Sequence, residues 1–108
     1  MRTRRADANQ PAIVEAFRKL GASVAHCHTV GKGFPDIAVG YGGLTMLVEI
    51  KDPNQPPSKQ KLTDDEQTFF DTWKGGVRLV TNPRQVHETV EVLQQWVNAI
   101  QRGKIDAV

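Results

Sequence analysis

The sequence predicts one α/β domain, in which three antiparallel strands and a fourth strand reached through a helix make a mixed sheet flanked by helices. Three observations carry this. Residues 35–41 and 44–51 are rich in strand formers, and only Gly42-Gly43 separates them, a dipeptide suited to the positive-φ positions of a two-residue hairpin loop. Apolar residues recur at helical spacing in two places, Ile13, Phe17 and Leu20 near the start and Val86, Val90, Leu93, Val97 and Ile100 near the end. Between them, Thr63-Asp64-Asp65-Glu66 reads as a capping box that opens another helix.

Taken in order, residues 1–6 read as a flexible basic arm carrying Arg2, Arg4 and Arg5. Asn9 is a candidate N-cap and Pro11 suits the first turn of a helix that runs to Leu20 and is ended by Gly21. Residues 24–29 form a candidate first strand, followed by a Gly31-Lys32-Gly33 loop and the hairpin. The stretch 52–62 holds Pro53, Pro56 and Pro57 and is expected to be an irregular exposed loop. The second helix carries Phe69, Phe70 and Trp73 and stops at Gly75-Gly76. Residues 77–81 form a short strand, and Asn82-Pro83 caps the last helix, with a frayed tail from Gly103. The order is α-β-β-β-α-β-α.

Composition narrows the class. The 108 residues suit a single domain, and 39% hydrophobic with 24% charged residues is ordinary for a soluble globular chain. No apolar run approaches the roughly 20 residues that span a bilayer, and no signal peptide is visible after Met1. Cys27 is alone, which excludes an intrachain disulfide and a Cys-based zinc site and fits a reducing, cytoplasmic setting. Net charge is +2, but residues 1–61 hold 9 Lys and Arg against 5 Asp and Glu, while residues 62–108 hold 5 against 7. The positive excess therefore lies in the half that contains the hairpin, where a polyanion would be attracted.

The hairpin carries the chemistry. With Gly42-Gly43 as the loop, paired residue numbers sum to 85, which sets Asp36 opposite Glu49 and puts Lys51 on the same face as Glu49. Like charges directly opposed across a hairpin are destabilising, so a cation between them is expected. Mg²⁺ suits two carboxylates, with the Ile50 carbonyl a candidate third ligand and Mn²⁺ able to substitute. Such an ion polarises a phosphodiester and lowers the pKa of an attacking water, while Lys51 orients that water and offsets the developing charge. Lys32, between two glycines, fits either a phosphate contact or a solvated loop position.

Gly33-Phe34-Pro35-Asp36, twelve further residues and Glu49-Ile50-Lys51 resemble the PD-(D/E)XK nuclease superfamily, most of all its small stand-alone VRR-NUC and Holliday-junction-resolvase-like branches. The resemblance spans about residues 7–97. Asp-Ala-Asn-Gln at 7–10, Val-Gly-Lys-Gly at 30–33 and Pro-Ser…Leu-Thr at 57–63 are also similar to short phage and prophage proteins. It implies a restriction-endonuclease-like αβββαβ core with a C-terminal helix, and Mg²⁺-dependent cleavage of DNA, structure-selective, in a bacterial host's cytoplasm. It implies that Asp36 and Glu49 are metal ligands and Lys51 the catalytic lysine. Relatives often carry a glutamate early in the first helix; here Gln10 stands at that position, and it is favoured over Glu15, which lies opposite the apolar stripe. Gln67 resembles a glutamine that follows the lysine motif in relatives. Gly33, Ser58, Lys59, Lys61, Arg4 and Arg5 complete the expected nucleic-acid surface. A homodimer through Trp96 and Val97, and phage replication or recombination proteins, are the expected partners.

Other polar groups read more plainly. His26 and His28 share a strand face and are taken as surface or hydrogen-bonded histidines, because no third nitrogen or sulfur ligand accompanies them. Asp64, Asp65 and Glu66 suit a helix N-terminus rather than a ligand cluster. Trp73 and Trp96 read as core or interface. The alternative function is a catalytically silent nucleic-acid-binding module that retains the fold, or a nuclease subunit of a larger complex.

Overall fold

Helix α1 (Gln10–Lys19) begins with Pro11 in its first turn and buries Ile13, Val14 and Phe17. Gly21, at φ +90, ends it, and the Gly21 and Ala22 N–H groups satisfy the Arg18 and Phe17 carbonyls. The computed structural model describes residues 7–107, so the expected arm at 1–6, with Arg4 and Arg5, lies outside the described residues.

Strands β1 (Ser23–His26), β2 (Ile37–Tyr41) and β3 (Leu44–Ile50) form the antiparallel meander. Gly42 and Gly43 have φ of +58 and +85, as a two-residue loop needs, and the register runs from Tyr41↔Leu44 to Ile37↔Val48. The expected pairing sum is therefore observed. β1 is shorter than the expected 24–29: after His26↔Ile37 the chain turns away, and the Val30 N–H closes a turn on the Cys27 carbonyl. The stretch expected to be irregular contains one helical turn, α2 (Pro57–Gln60), because Pro57 presets the φ of its first residue and Lys59 N bonds the Pro56 carbonyl.

Helix α3 (Asp64–Thr72) follows a complete capping box, and β4 (Gly76–Val80) then pairs parallel to β3. The sheet order is β1-β2-β3-β4, a mixed four-stranded sheet. Helix α4 (Pro83–Ala107) opens with Asn82 Oδ1 accepting from Gln85 N at 3.0 Å. It continues through Gly103 to Ala107. One interior glycine costs only about 1 kcal/mol relative to alanine, too little to end a helix by itself.

The core lies on one face of the sheet. Ile13, Val14 and Phe17 of α1 and Val86, Val90 and Leu93 of α4 pack on Ile37, Val39, Met46, Val48, Ile50 and Val80. Strand alternation sends Leu47 and Glu49 to the other face. Just past the middle of α4, Val97 packs so closely on the hairpin that a Cβ on Gly42 would meet it at 2.6 Å. Trp96 stays 43% exposed, so the expected apolar strip is half used by the chain itself. No helix among the described residues is long and apolar enough to cross a membrane.

Candidate active site

Asp36, Glu49 and Lys51 meet at one end of the sheet, and all three are buried. Asp36 directly precedes β2. Its carbonyl accepts from Cys27 N at 2.7 Å, and its Oδ2 accepts from Ile50 N at 2.8 Å. Its main chain is thus tied to the end of β1 and its side chain to the end of β3. Regular pairing of β2 with β3 stops at Ile37↔Val48, and beyond it the Asp36 carboxylate takes a β3 amide itself. Lys51 N donates to the Val80 carbonyl, and the Lys51 carbonyl accepts from Asn9 Nδ2 at 3.1 Å. The Lys51 ammonium lies 2.7 Å from Glu66 Oε1 and 3.6 Å from Glu49 Oε2.

These contacts set the charges. Burial, the Asp36 and Glu66 charges and a hydrogen bond with Asp36 push Glu49 up to about 9, against the smaller pull of Lys51. Glu49 therefore keeps its proton at neutral pH. Burial alone would lower Lys51, but the Glu66 hydrogen bond and charge, with Glu49 and Asp7, raise it above its ordinary value. Burial alone would raise Glu66, yet its bonds with Lys51 and Thr63 and the Lys51 charge bring it below the usual carboxylate range. The site holds an ionised Lys51–Glu66 pair beside a protonated Glu49.

Glu66 is the residue that sequence reasoning missed. It does cap α3, accepting from Thr63 N at 2.9 Å while its own N–H donates to Thr63 Oγ1 at 3.2 Å. The same Oε1 also receives Lys51, so the capping box doubles as the anchor of the lysine. Asp64 and Asp65 remain exposed, as expected for helix N-terminal acids. Asn9 was missed in a different way. It makes no side-chain cap bond and instead donates to both the Lys51 and Thr81 carbonyls, at 3.1 Å each, fastening the start of α1 to the ends of β3 and β4.

Gly33 is buried, at φ +79, and a Cβ there would lie 2.4 Å from the Asp65 carbonyl and 2.8 Å from Glu66 N. The 27–36 loop is seated on α3 at this point, and Phe34 meets Phe69 edge-on at 5.2 Å beside it. We expect Gly33→Ala to destabilise by about 2–4 kcal/mol, from backbone overlap plus the positive φ. Gly31→Ala, with φ +87 but nothing within 4 Å, is the control and should cost only about 1 kcal/mol in urea titrations. Equal losses would show that overlap with α3 is not the cause.

The remaining expected residues are placed as follows. Lys32 is exposed at φ 53 on the loop before Gly33. Ser58 and Lys59 on α2, and Lys61 just after it, are exposed. Gln67 is exposed, and its amide donates to Asp71 Oδ1 along its own helix at 2.9 Å. Gln10 is 2% exposed, with Nε2 3.2 Å from His26 Nδ1. Glu15 is exposed and pairs with Lys19 at 3.7 Å. Ile50 brings its N–H to Asp36, with its side chain in the core.

Among the described residues no group of three or more His, Cys, Asp or Glu is arranged to hold a metal ion. A divalent cation here would rest on the Asp36 and Glu49 carboxylates with carbonyl and water oxygens. The donor set fits a hard cation: two hard anionic ligands pressed together, whose repulsion a proton now relieves. Comparison with protein-family models, with curated proteins and with solved structures finds no match for this chain.

Proposed function

We propose that this protein is a divalent-metal-dependent endonuclease that hydrolyses phosphodiester bonds in DNA, with a preference for branched, flap or junction structures. The observation that carries the reading is the juxtaposition of buried Asp36 and Glu49 with an ammonium, Lys51, held 3.6 Å from Glu49 by Glu66. The αβββαβ order, with a meander and a parallel fourth strand, is the one expected of a restriction-endonuclease-like, PD-(D/E)XK core.

Asp36 and Glu49 would hold Mg²⁺ or Mn²⁺, which supplies Lewis-acid stabilisation of the phosphate and a more acidic attacking water. Lys51 stays an ammonium, so it donates to the charge that develops on the phosphate and orients the nucleophile rather than taking its proton. Glu66 fixes where that ammonium points. Exposed Lys32, Lys59 and Lys61 suit contacts to the strand's phosphates, which position without reading sequence. Replacing each by alanine should weaken binding uniformly across sequences and reduce the salt slope of log K by about one. A single centre nicks one strand; cutting both strands of a junction calls for a homodimer, for which Trp96 is the exposed apolar candidate. A cytoplasmic phage or prophage setting, with replication or recombination proteins as partners, belongs to the same reading.

The test is cleavage of single-stranded, duplex, flap, bubble and four-way-junction DNA with Mg²⁺ and Mn²⁺, beside Glu49→Ala. Cleavage that survives Glu49→Ala in a clean preparation ends the assignment. A second reading, a catalytically silent nucleic-acid-binding module, is favoured by Gln10, an uncharged side chain engaged with His26 where relatives carry an acid. Binding without metal dependence or cleavage on DNA and RNA panels would establish it instead.

A further inference from the structure

We infer that the cleft between α1 and β1 is a nucleotide site that takes an unpaired base of the DNA strand beside the cutting centre. The inference rests on the nuclease reading for its choice of ligand, and on the cleft for everything else. The cleft is open to solvent and offers about 590 Å³. That is within the roughly 300–1,000 Å³ typical of small-molecule sites, and far more than an ion or a water requires.

Its walls suit a flat heteroaromatic ring with a charged tail. Pro11 and Val14 of α1 give an apolar side, and His26 and His28 give aromatic rings, edge to face at 6.4 Å. Bases stack on such surfaces whatever their sequence. Arg18, one helical turn beyond Val14, supplies a guanidinium for a phosphate. Glu15 also lines the cleft, but its charge is partly offset by Lys19.

A second observation points to a ligand. Gln10 is 2% exposed, and its Oε1 is buried with no hydrogen-bond partner among the described residues, as is His28 Nδ1. A buried acceptor without a partner carries a desolvation penalty that a bound donor would remove. With one Nε2 hydrogen engaged at His26, the Gln10 Oε1 is the acceptor left open, and it matches the exocyclic amino group of a base such as adenine.

Position ties the cleft to the centre. Its α1 wall is fastened through Asn9 to the Lys51 carbonyl, and its β1 wall through Cys27 N to the Asp36 carbonyl. Both ties lie at the same end of the sheet, with Glu49 on the α3 side and the cleft on the α1 side, so a strand that rounds this end can seat its next unpaired nucleotide in the cleft. This gives the proposed preference for branched or flapped DNA a physical origin, because a fully paired duplex offers no base to seat.

The experiment titrates the full chain, without metal, with deoxyadenosine monophosphate, its analogue bearing unsubstituted purine, and inorganic phosphate, following the His26 and His28 ring protons by NMR. Saturable shifts are expected with deoxyadenosine monophosphate, with affinity roughly tenfold weaker for the analogue and roughly tenfold weaker in Arg18→Glu. His28→Ala should lose a similar factor, read on His26. Unmoved histidines, or phosphate shifts equal to those of the nucleotide, overturn the inference. Cleavage assays judge the nuclease reading separately: cutting with no nucleotide binding removes the cleft and leaves the enzyme, and binding without cutting does the reverse. If both stand, Arg18→Glu should slow cutting of flapped DNA about tenfold, a larger loss than it causes in duplex nicking.

Discussion

Under the proposed nuclease function, Glu49→Gln should abolish Mg²⁺-dependent cleavage and yet make the metal-free protein more stable at alkaline pH. The two effects share one cause. Glu49 is 1% exposed and held near 9 by burial and by the Asp36 and Glu66 charges, so the folded metal-free chain binds a proton that the unfolded chain releases above 4.5. For a carboxyl raised in the folded state, stability is greatest at the acid end and falls as pH rises from 4.5 to 9, by at most about 1.4 kcal/mol per pH unit. Glu66 works the other way, but its lowered pKa places its loss below 4.5, and Lys51, raised, loses its contribution only above its usual 10.5. Between pH 5 and 9 the slope therefore belongs to Glu49.

Glutamine has the shape of the protonated acid and cannot ionise, so the variant's melting temperature should be nearly level over that window. For a domain of this size each 1 kcal/mol shifts the midpoint by roughly 4–8 °C, so the difference between the two proteins at pH 9 is readily measured. Added Mg²⁺ should raise the wild-type midpoint at pH 8 and leave the variant's unchanged, because removing one of two carboxylates removes the charge that holds the ion. The cleavage rate should drop by a factor on the order of 10³ or more, the scale lost with a preorganised electrostatic group. A wild-type midpoint that rises between pH 5 and 9 would contradict the buried protonated Glu49, whatever the cleavage result.

The parts of this site legible in the sequence are those that local rules determine. Gly42-Gly43 permits one loop length, loop length sets the register, and the register brings Asp36 to Glu49 before any long-range packing is known. Lys51 follows from alternation. Glu66 and Asn9 escape this logic. Glu66 sits where a capping box wants a glutamate, so the local explanation is complete and conceals the second role; only the packing of α3 across the sheet end reveals it. Asn9 satisfies the N-cap position by sequence, yet its side chain spends its donors on carbonyls 42 and 72 residues away. Gly33 suggested a phosphate-binding loop, and the structure gives it a steric reason for being glycine. The short helix α2 was missed because a proline cluster marks where a helix is disfavoured, not where it is forbidden.

Glu66 also yields the second large effect. Glu66→Ala removes the carboxylate that holds Lys51 at 2.7 Å and the acceptor that satisfies Thr63 N. Breaking one side of a buried ion pair leaves its partner uncompensated, which typically costs about 3–5 kcal/mol. Here the loss is softened, because Glu49 lies 3.6 Å from the same ammonium and can ionise to take Glu66's place. The expected cost is therefore nearer 2–3 kcal/mol, including about 1 kcal/mol for the cap. That rearrangement has a signature: with Lys51 turned onto Glu49 and the Glu66 charge gone, the metal-free protein should lose most of its stability decline between pH 5 and 9. Cleavage should fall about a hundredfold, since both carboxylates remain but the ammonium no longer points at the phosphate. Glu66→Gln separates the cap from the anchor. Its amide oxygen can still accept from Thr63 N and Lys51, so stability should recover most of the cap's share while cleavage stays depressed, because a neutral partner holds the ammonium weakly. If Glu66→Ala cut at the wild-type rate, Lys51 would not need its anchor, and Glu66 would be a helix cap alone.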